Sequence, residues 1–393
     1  MRGITRIAGI AVRFVGLLFN FLVVFYIGQS YSADITAMYF TDYSLLMFVS
    51  VLGRFGLEEL IVKYSSSDLA VGSTLFLSFL IKKIPLFLAI TIGLGVLVSI
   101  ASLVSSNLFN TVSFILGYNV SALAFSYLNG SNQLLKGSVP LFIVSPLVFM
   151  TMLVFSTVSC SEDIIKFHSY SYILSVFGYI LILRGYNFQK IKSEYRIARD
   201  LSPLAFSSIT AGLASYLSLY LLGRNLGSEE FVVWNYVMKI LQILTVGVML
   251  SNIYFGPFYR QLFLAKKLIN LRTLFVRQII VSGILLIPFA IFSPRLAVHF
   301  LILSEIQRVH FSSLFYTLIV GYGVSFVLSS IGTLYIMVDR QNINAIVGMI
   351  FSSILVGFIA LCRDENMITY AIVFSVCIAL PKVFLFVLMK RMM

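Results

Sequence analysis

Twelve apolar segments, each about as long as a membrane-crossing helix, dominate this sequence of 393 residues. A helix needs about 20 mostly apolar residues to cross the hydrocarbon core of a bilayer. With 60% hydrophobic residues, 11% charged residues and a mean hydropathy of +1.00, the composition is typical of a polytopic membrane protein. We therefore predict an all-α membrane protein with twelve transmembrane helices. The predicted spans are 8–30, 42–62, 84–106, 108–129, 139–160, 167–184, 201–223, 231–256, 274–294, 311–337, 344–362 and 368–389.

The N-terminal segment and the cysteines exclude several alternatives. The first apolar run follows basic residues, but it is too long for a signal peptide and lacks a small-residue cleavage signature, so it predicts an uncleaved span. Cys160, Cys362 and Cys377 show no CxxC or Cys/His spacing, which favours small packing residues over a disulfide scaffold or a metal site. We expect no cofactor.

The basic residues are distributed unevenly between the two sides of the membrane. With the N-terminus inside, 20 fall on the cytoplasmic side and 5 on the opposite side, which is a strong positive-inside signal. The net charge of +13 therefore reflects topology, and we expect no nucleic-acid partner. The cytoplasmic set is Arg2, Arg6, Arg13, Lys63, Lys82, Lys83, Lys136, Arg184, Lys190, Lys192, Arg196, Arg199, Arg260, Lys266, Lys267, Arg272, Arg277, Arg340, Lys390 and Arg391, and the opposite set is Lys166, Arg224, Arg295, Arg308 and Arg363.

A short internal repeat links the two halves of the chain. Aligning Gly28 with Gly223 also pairs Asp34 with Glu229 and Tyr39 with Trp234, at an offset of 195 residues. The match falls after the first and the seventh span, so each half contains six spans and both halves share one orientation. The sequence predicts an N-terminal six-helix lobe (1–190), a cytoplasmic linker (191–200) and a C-terminal six-helix lobe (201–393), related by a pseudo-two-fold axis around a central cavity.

Charged residues within the second span identify the first part of a candidate site. Arg54 lies about twelve residues into predicted span 42–62, where an unpaired charge costs roughly 2.5–3.5 kcal/mol. Arg54 and Glu58 are spaced i,i+4 on one helix face with Ser50, and Glu59 and Lys63 share an adjacent face. The stripe is interpreted either as a buried ion pair that ties the helix to its neighbours or as the wall of a hydrated cavity.

Polar stripes in two other spans favour the cavity. Asn235, Lys239 and Gln242 recur at helical spacing in the eighth span. In the first span, Arg13 and Asn20 lie on one face, although Arg13 is also suited to an interfacial anchor. We interpret Lys382, near the end of the last span, as a snorkelling anchor. A cavity lined by Arg54 and Lys239 would favour an anionic ligand. Four tyrosines are candidates for contacts with sugars or drugs: Tyr118, Tyr127, Tyr216 and Tyr220.

The chain resembles the polysaccharide flippases, the Wzx-type O-antigen transporters of the multidrug/oligosaccharidyl-lipid/polysaccharide exporter superfamily. The resemblance rests on two six-span halves, on RFGLEELIVKY in span two, on FYIGQSYSADITAMY at the end of span one and on PFYRQL at 257–262. It covers essentially the whole chain. None of these stretches is a catalytic signature. The resemblance implies a transporter and not an enzyme.

The resemblance implies a pair of six-helix bundles that open alternately to each side of a bacterial inner membrane, with both termini cytoplasmic. The implied cargo is an oligosaccharide linked to undecaprenyl pyrophosphate, flipped from the cytoplasmic to the periplasmic leaflet. The implied coupling ion is H⁺ or Na⁺, for which Glu58 and Glu59 are the candidates here. Arg54 and Lys239 fit the family's cation-lined cavity, and the polysaccharide polymerase and chain-length regulator are candidate partners.

Two rival interpretations remain open. A cation-coupled multidrug exporter of the same superfamily would usually carry an acidic residue in the membrane core of its first half, and span one has none. A polysaccharide polymerase would be expected to carry a large periplasmic loop with basic catalytic residues. The longest such loop here, at about 295–310, is short and mostly apolar, which disfavours the enzyme.

The charge distribution makes a topological prediction. Reporter fusions within 190–196 and 266–272 should be cytoplasmic, and fusions near 34, 162 and 364 should be periplasmic, because the basic loops stay inside. Alkaline phosphatase and fluorescent-protein fusions measure this directly. A periplasmic 190–196 loop would reverse the predicted orientation and the direction of transport.

Overall fold

Helices make up almost all of the structure, which is a computed structural model. It describes residues 2–58, 60–62, 84–100, 103–131, 133–184, 197–265, 268–300, 305–337, 340–363 and 365–392. The first six helices are α1 (Arg2–Ser30), α2 (Ala33–Arg54), α3 (Ile84–Ile100), α4 (Leu108–Gly130), α5 (Leu134–Phe155) and α6 (Ser161–Leu183). The seventh, α7, runs through Ile197–Gly212, Leu213–Leu217 and Ser218–Asn225. The others are α8 (Ser228–Leu264), α9 (Leu268–Phe300), α10 (Glu305–Val327), α11 (Ser330–Met337), α12 (Gln341–Leu361) and α13 (Met367–Met392).

Each predicted apolar span overlaps one of these helices, so the all-α membrane class is confirmed. Within the described residues, ten helices are long and apolar enough to cross a membrane. The third span is represented by a shorter apolar helix, Ala89–Ser99, and α8 is not among the ten. Twelve membrane crossings therefore remain a prediction.

The second helix begins nine residues earlier than predicted. Its N-cap is Ser32, whose hydroxyl oxygen accepts a hydrogen bond from the backbone N–H of Ile35 at 3.4 Å. Asp34 lies in the first turn, where a negative charge is favoured by the helix dipole. The prediction from hydropathy placed this polar segment in a loop. The Ser32 cap and the Asp34 charge instead stabilise it as the first turn of the helix.

The second helix also ends earlier than predicted, because the chain turns at Phe55 and Gly56. Both residues have positive φ, 48° and 77° respectively, and helical residues resume at Leu57. The prediction that Arg54 lies in the middle of a span is therefore wrong: it is the last residue of α2. A Cβ at Gly56 would lie 2.6 Å from the backbone nitrogen of Ala205 in α7, so only glycine fits this contact.

The chain forms two compact units, residues 1–220 and 221–393. In the first unit, α2 packs against α3, α4, α6 and α7, and the most extensive helix pairing is between α4 and α6. The first unit includes most of α7 because this helix packs against α2. The lobes predicted at 1–190 and 201–393 stay a prediction, and 191–196 of the proposed linker lies outside the described residues.

Helix boundaries agree with the internal repeat. The ends of α1 and α7, Ser30 and Asn225, are 195 positions apart, as are the starts of α2 and α8, Ala33 and Ser228. The packing also repeats: α4 contacts α2, α3 and α6 in the first unit, while α10 contacts α8, α9 and α13 in the second. The pseudo-two-fold arrangement itself remains a prediction.

The three cysteines differ in their surroundings. Cys377 is buried, as expected of a packing residue, and Cys362 is partly buried. Cys160 is exposed, where its thiol and backbone N–H approach the Asp163 carboxylate at the start of α6. The packing role predicted for Cys160 is therefore wrong, because a helix N-terminus here needs a polar partner.

We predict that Gly56→Ala destabilises the protein by at least about 1–2 kcal/mol, the cost of a left-handed conformation for a residue with a Cβ. Contact with Ala205 adds to this cost. Gly93→Ala is the matched control, because a Cβ at Gly93 would have no neighbouring atom within 4 Å. Thermal unfolding in detergent, followed by size-exclusion chromatography, measures both. Equal stability of the two variants would contradict the assignment of the turn.

Candidate functional site

The Arg54 side chain is buried and contacts three polar or aromatic partners. Its Nη1 donates a hydrogen bond to Oδ1 of Asn119 on α4 at 2.7 Å, and its Nε forms an ion pair with Oε1 of Glu58. The guanidinium carbon lies 4.8 Å from the ring centroid of Tyr118, a cation–π contact. The predicted pair of Arg54 and Glu58 is thus present, although the Phe55–Gly56 turn interrupts the helix between them.

The two polar partners of Arg54 differ in exposure. Asn119 is fully buried, whereas the Glu58 side chain is 30% exposed. A buried guanidinium loses its hydration, and this cost is offset only if its N–H groups find acceptors. Asn119 and Tyr118 therefore hold Arg54 on the interior side, while the carboxylate of Glu58 remains partly accessible.

Polar atoms without partners lie beside this cation. Among the described residues, Ser50 Oγ, Thr91 Oγ1 and Asn119 Nδ2 are buried and make no hydrogen bond. Thr91 and Asn119 both flank Gly53, where a Cβ would lie 3.0 Å from Asn119 Nδ2 and 3.9 Å from Thr91 Oγ1. Buried polar atoms ordinarily have a partner, so this cluster is suited to bind water or a polar ligand group.

Arg13 belongs to a different cluster within the first unit. Its guanidinium lies 4.5 Å from the ring of Phe125 on α4 and 5.8 Å from the ring of Phe142 on α5. Asn20 is exposed and donates to the carbonyl of Gly16 in its own helix at 3.0 Å. The described contacts of Arg13 and Asn20 therefore differ from those of Arg54.

The second unit holds the other predicted residues. Lys239 is partly buried on α8, and no hydrogen-bond acceptor reaches its ammonium among the described residues. Asn235 is buried and donates to the carbonyl of Phe231 at 2.8 Å, while Gln242 is partly buried. Glu59 lies outside the described residues.

Lys382 on α13 lies close to two neighbouring helices. A Cβ at Gly332 would lie 3.4 Å from the Lys382 ammonium nitrogen and 3.6 Å from Oδ1 of Asn344. The ammonium is therefore near α11 and α12, and glycine at 332 leaves space for it. The snorkelling role of Lys382 stays a prediction.

Two polar features of the first unit were missed by the sequence analysis. Asp42 lies within α2, is buried, and accepts hydrogen bonds from the backbone N–H (3.0 Å) and hydroxyl of Ser105. It was overlooked because the predicted span began at this residue. His168 on α6 is buried among aromatic rings, and the i,i+4 pair that it forms with Tyr172 was the available signal.

The fold of this chain is similar to the folds of several solved membrane proteins. No family model matches the sequence, and no curated protein matches it. Solved structures do match: an inward-facing multidrug resistance MATE family transporter of the MOP superfamily has a TM-score of 0.72 at 11% identity, covering 98% of this chain and 97% of that one. The lipid II flippase MurJ, in an inward closed conformation, has a TM-score of 0.66 at 16% identity, covering 98% and 87%. An outward-facing MATE family transporter has a TM-score of 0.65 at 13% identity, covering 99% and 94%.

The chain is therefore a multi-pass membrane protein with the fold shared by MATE transporters and MurJ. These neighbours are transporters and flippases.

We predict strong energetic coupling between Arg54 and Glu58. A double-mutant cycle of Arg54→Ala and Glu58→Ala should give an interaction free energy within the roughly 0.5–3 kcal/mol range that is typical of contacting residues. Thermal unfolding in detergent measures each variant. The same cycle for Arg54 and exposed Lys136 should be additive, and additivity for Arg54 and Glu58 would contradict the ion pair.

Proposed function

We propose that this protein is a flippase that moves an oligosaccharide linked to undecaprenyl pyrophosphate from the cytoplasmic to the periplasmic leaflet by alternating access. It would lie in the bacterial inner membrane with both termini in the cytoplasm, and the cargo would be an O-antigen or related repeat unit. Support comes from the fold shared with a lipid II flippase and from the sequence resemblance to Wzx-type transporters.

The buried Arg54 is the observation that carries the proposal. A guanidinium offers a planar fork of donors that suits phosphate oxygens, and burial strengthens charge-assisted hydrogen bonds. Arg54 lies beside unpaired polar atoms of Ser50, Thr91 and Asn119, which could bind further oxygens of the cargo. The partly exposed Glu58 is the counter-ion that an anionic cargo would displace.

Lys239 provides the corresponding cation of the second unit in this proposal. It has no acceptor among the described residues, so an anionic group would lower the cost of burying it. Arg13, Asn20 and Gln242 remain proposed cargo contacts, and Glu58 and Glu59 remain proposed ion-coupling residues.

We predict that Arg54→Ala and Lys239→Ala each impair surface-polysaccharide assembly in a strain that depends on this protein, while the protein still reaches the membrane at normal levels. Arg54→Lys should retain part of the activity, since the charge remains but the two-pronged geometry is lost. Accumulation of lipid-linked oligosaccharide on the cytoplasmic leaflet measures the defect. Lys136→Ala, an exposed cation of α5, is the matched control and should behave as the parent.

The alternative role of Arg54 as a purely structural cation gives a different pattern. In that case Arg54→Ala should lower protein abundance, and adding Glu58→Ala should restore both abundance and transport. A rescued double variant would remove Arg54 from the cargo site and leave Lys239 to be judged by its own variant.

A multidrug exporter is the second candidate, favoured by the MATE neighbours and by Asp42, a buried carboxylate in the first unit. However, the two hydrogen bonds from Ser105 already satisfy one of its oxygens. Drug accumulation separates the two functions. An exporter would lower the accumulation of cationic dyes in a manner abolished by Asp42→Asn, whereas a flippase would leave dye accumulation unchanged.

A further inference from the structure

A lysine ammonium in the second unit lies in a cleft between three helices. The helices α11, α12 and α13 pack against one another, and Lys382 belongs to α13. Its Nζ and the side-chain amide of Asn344 on α12 both lie within 4 Å of the position that a Cβ at Gly332 on α11 would occupy. The ammonium end is enclosed by protein, whereas the lysine as a whole is partly exposed. Glycine at 332 leaves space beside this cation.

Lys382 and Asn344 make no hydrogen bond or ion pair with any residue that the structure describes. An ammonium that loses its hydration without gaining an anion or several acceptors is costly to bury. The neighbouring amide of Asn344 can donate as well as accept, so it is suited to bind the same ligand as the ammonium. The two side chains together therefore fit a ligand that carries negative charge on oxygen atoms.

Further positive groups lie at the same end of these helices. Arg340 is the N-cap residue of α12, and its side chain makes no capping hydrogen bond. The exposed Arg340 guanidinium interacts electrostatically with the Tyr335 hydroxyl, which donates to the carbonyl of Leu385 on α13 at 3.1 Å. Leu385 lies one helical turn from Lys382. The N-terminus of α12 and the guanidinium therefore add to the positive potential around Lys382.

We propose that Lys382, Asn344, Gly332 and Arg340 form a binding site for the phosphate headgroup of an anionic phospholipid, and we call this group the Lys382 cleft. The ammonium, the amide and the guanidinium all donate hydrogen bonds, which suits phosphate oxygens. Basic pockets between membrane helices bind headgroups of this kind. None of these residues belongs to the proposed cargo site, and the inference does not depend on the proposed function.

The depth and the surroundings of the Lys382 cleft favour a lipid over a soluble anion. Gly332 lies five residues before the end of α11, and Asn344 is the fourth residue of α12. At about 1.5 Å per residue, both lie within roughly 8 Å of the helix ends, where headgroups meet hydrocarbon. Val383 and Phe384, which follow Lys382, are exposed and would contact acyl chains. A phospholipid supplies the anion and the apolar chains in one molecule.

Lipid titration of the delipidated full chain in detergent tests the site, with phosphatidylglycerol as the anionic lipid and phosphatidylcholine as the zwitterionic one. Native mass spectrometry measures the apparent affinity for each, and we expect the parent to prefer phosphatidylglycerol. Lys382→Met removes the charge and keeps an unbranched side chain, so it should bind phosphatidylglycerol at least about fivefold more weakly. Arg272→Gln, at an exposed cation of α9, is the matched control and should keep the parental affinity. A parent without preference, or equal losses in both variants, would overturn the proposal.

A second variant tests the site without removing the lysine. Asn344→Asp keeps the size of the side chain and places a carboxylate beside the ammonium, so the chain itself would supply the anion that the lipid otherwise provides. Thermal unfolding with and without each lipid measures the effect. Phosphatidylglycerol should raise the Tm of the parent more than phosphatidylcholine does, and this difference should disappear in Asn344→Asp. A difference that stays as large in Asn344→Asp as in the parent would contradict the site.

The same measurements distinguish the lipid from two other sources of negative charge. Asp339 precedes Arg340 in the sequence and lies outside the described residues. A preference for phosphatidylglycerol that appears in Asp339→Asn and not in the parent would overturn the proposal, because the chain would then neutralise Lys382 itself. Inorganic phosphate should leave the Tm of the parent unchanged, since it has no acyl chains to hold it at this depth. Stabilisation by inorganic phosphate equal to that by phosphatidylglycerol would overturn the lipid as the occupant.

Discussion

The cost of burying a guanidinium in an apolar interior determines the arrangement of the first unit. Arg54 is kept at the end of α2 by Asn119, Tyr118 and Glu58, which come from a neighbouring helix and from beyond a sharp turn. Removing an acceptor would leave a charge without hydration, so these contacts constrain where α2 ends and how α4 packs against it. Glycine at position 53 has no side chain, so Asn119 can approach α2 closely enough to accept the hydrogen bond from Arg54.

The helix boundaries of the two halves of the chain follow the internal sequence repeat. α1 and α7 end at equivalent positions, and α2 and α8 begin at equivalent positions. The polar residues do not follow the repeat: Arg54 lies at the end of α2, whereas Lys239 lies in the first third of α8. Equivalent helices of the two units therefore carry their basic residues at different positions.

The sequence predicted the helices and the repeat, because hydropathy and local identity carry that information. It could not predict the end of α2, which depends on a left-handed Phe55–Gly56 turn within an apolar run. It also could not find Asn119, since a partner 65 residues away is determined by packing. The aromatic surroundings of His168 could be predicted in part from spacing. Aromatic or imidazole groups recur four residues apart on three helices, which places each pair on one helix face. The pairs are Tyr39 with Tyr43, Phe114 with Tyr118, and His168 with Tyr172.

The unequal exposure of the two Arg54 partners has a consequence for energetics. Asn119 is buried, whereas the Glu58 carboxylate is partly in contact with solvent. Under the proposed function, a phosphate of the cargo would exchange with this carboxylate, so the guanidinium would keep an anionic partner throughout. The same carboxylate would return to Arg54 when the cargo is released, which would weaken cargo binding and favour turnover.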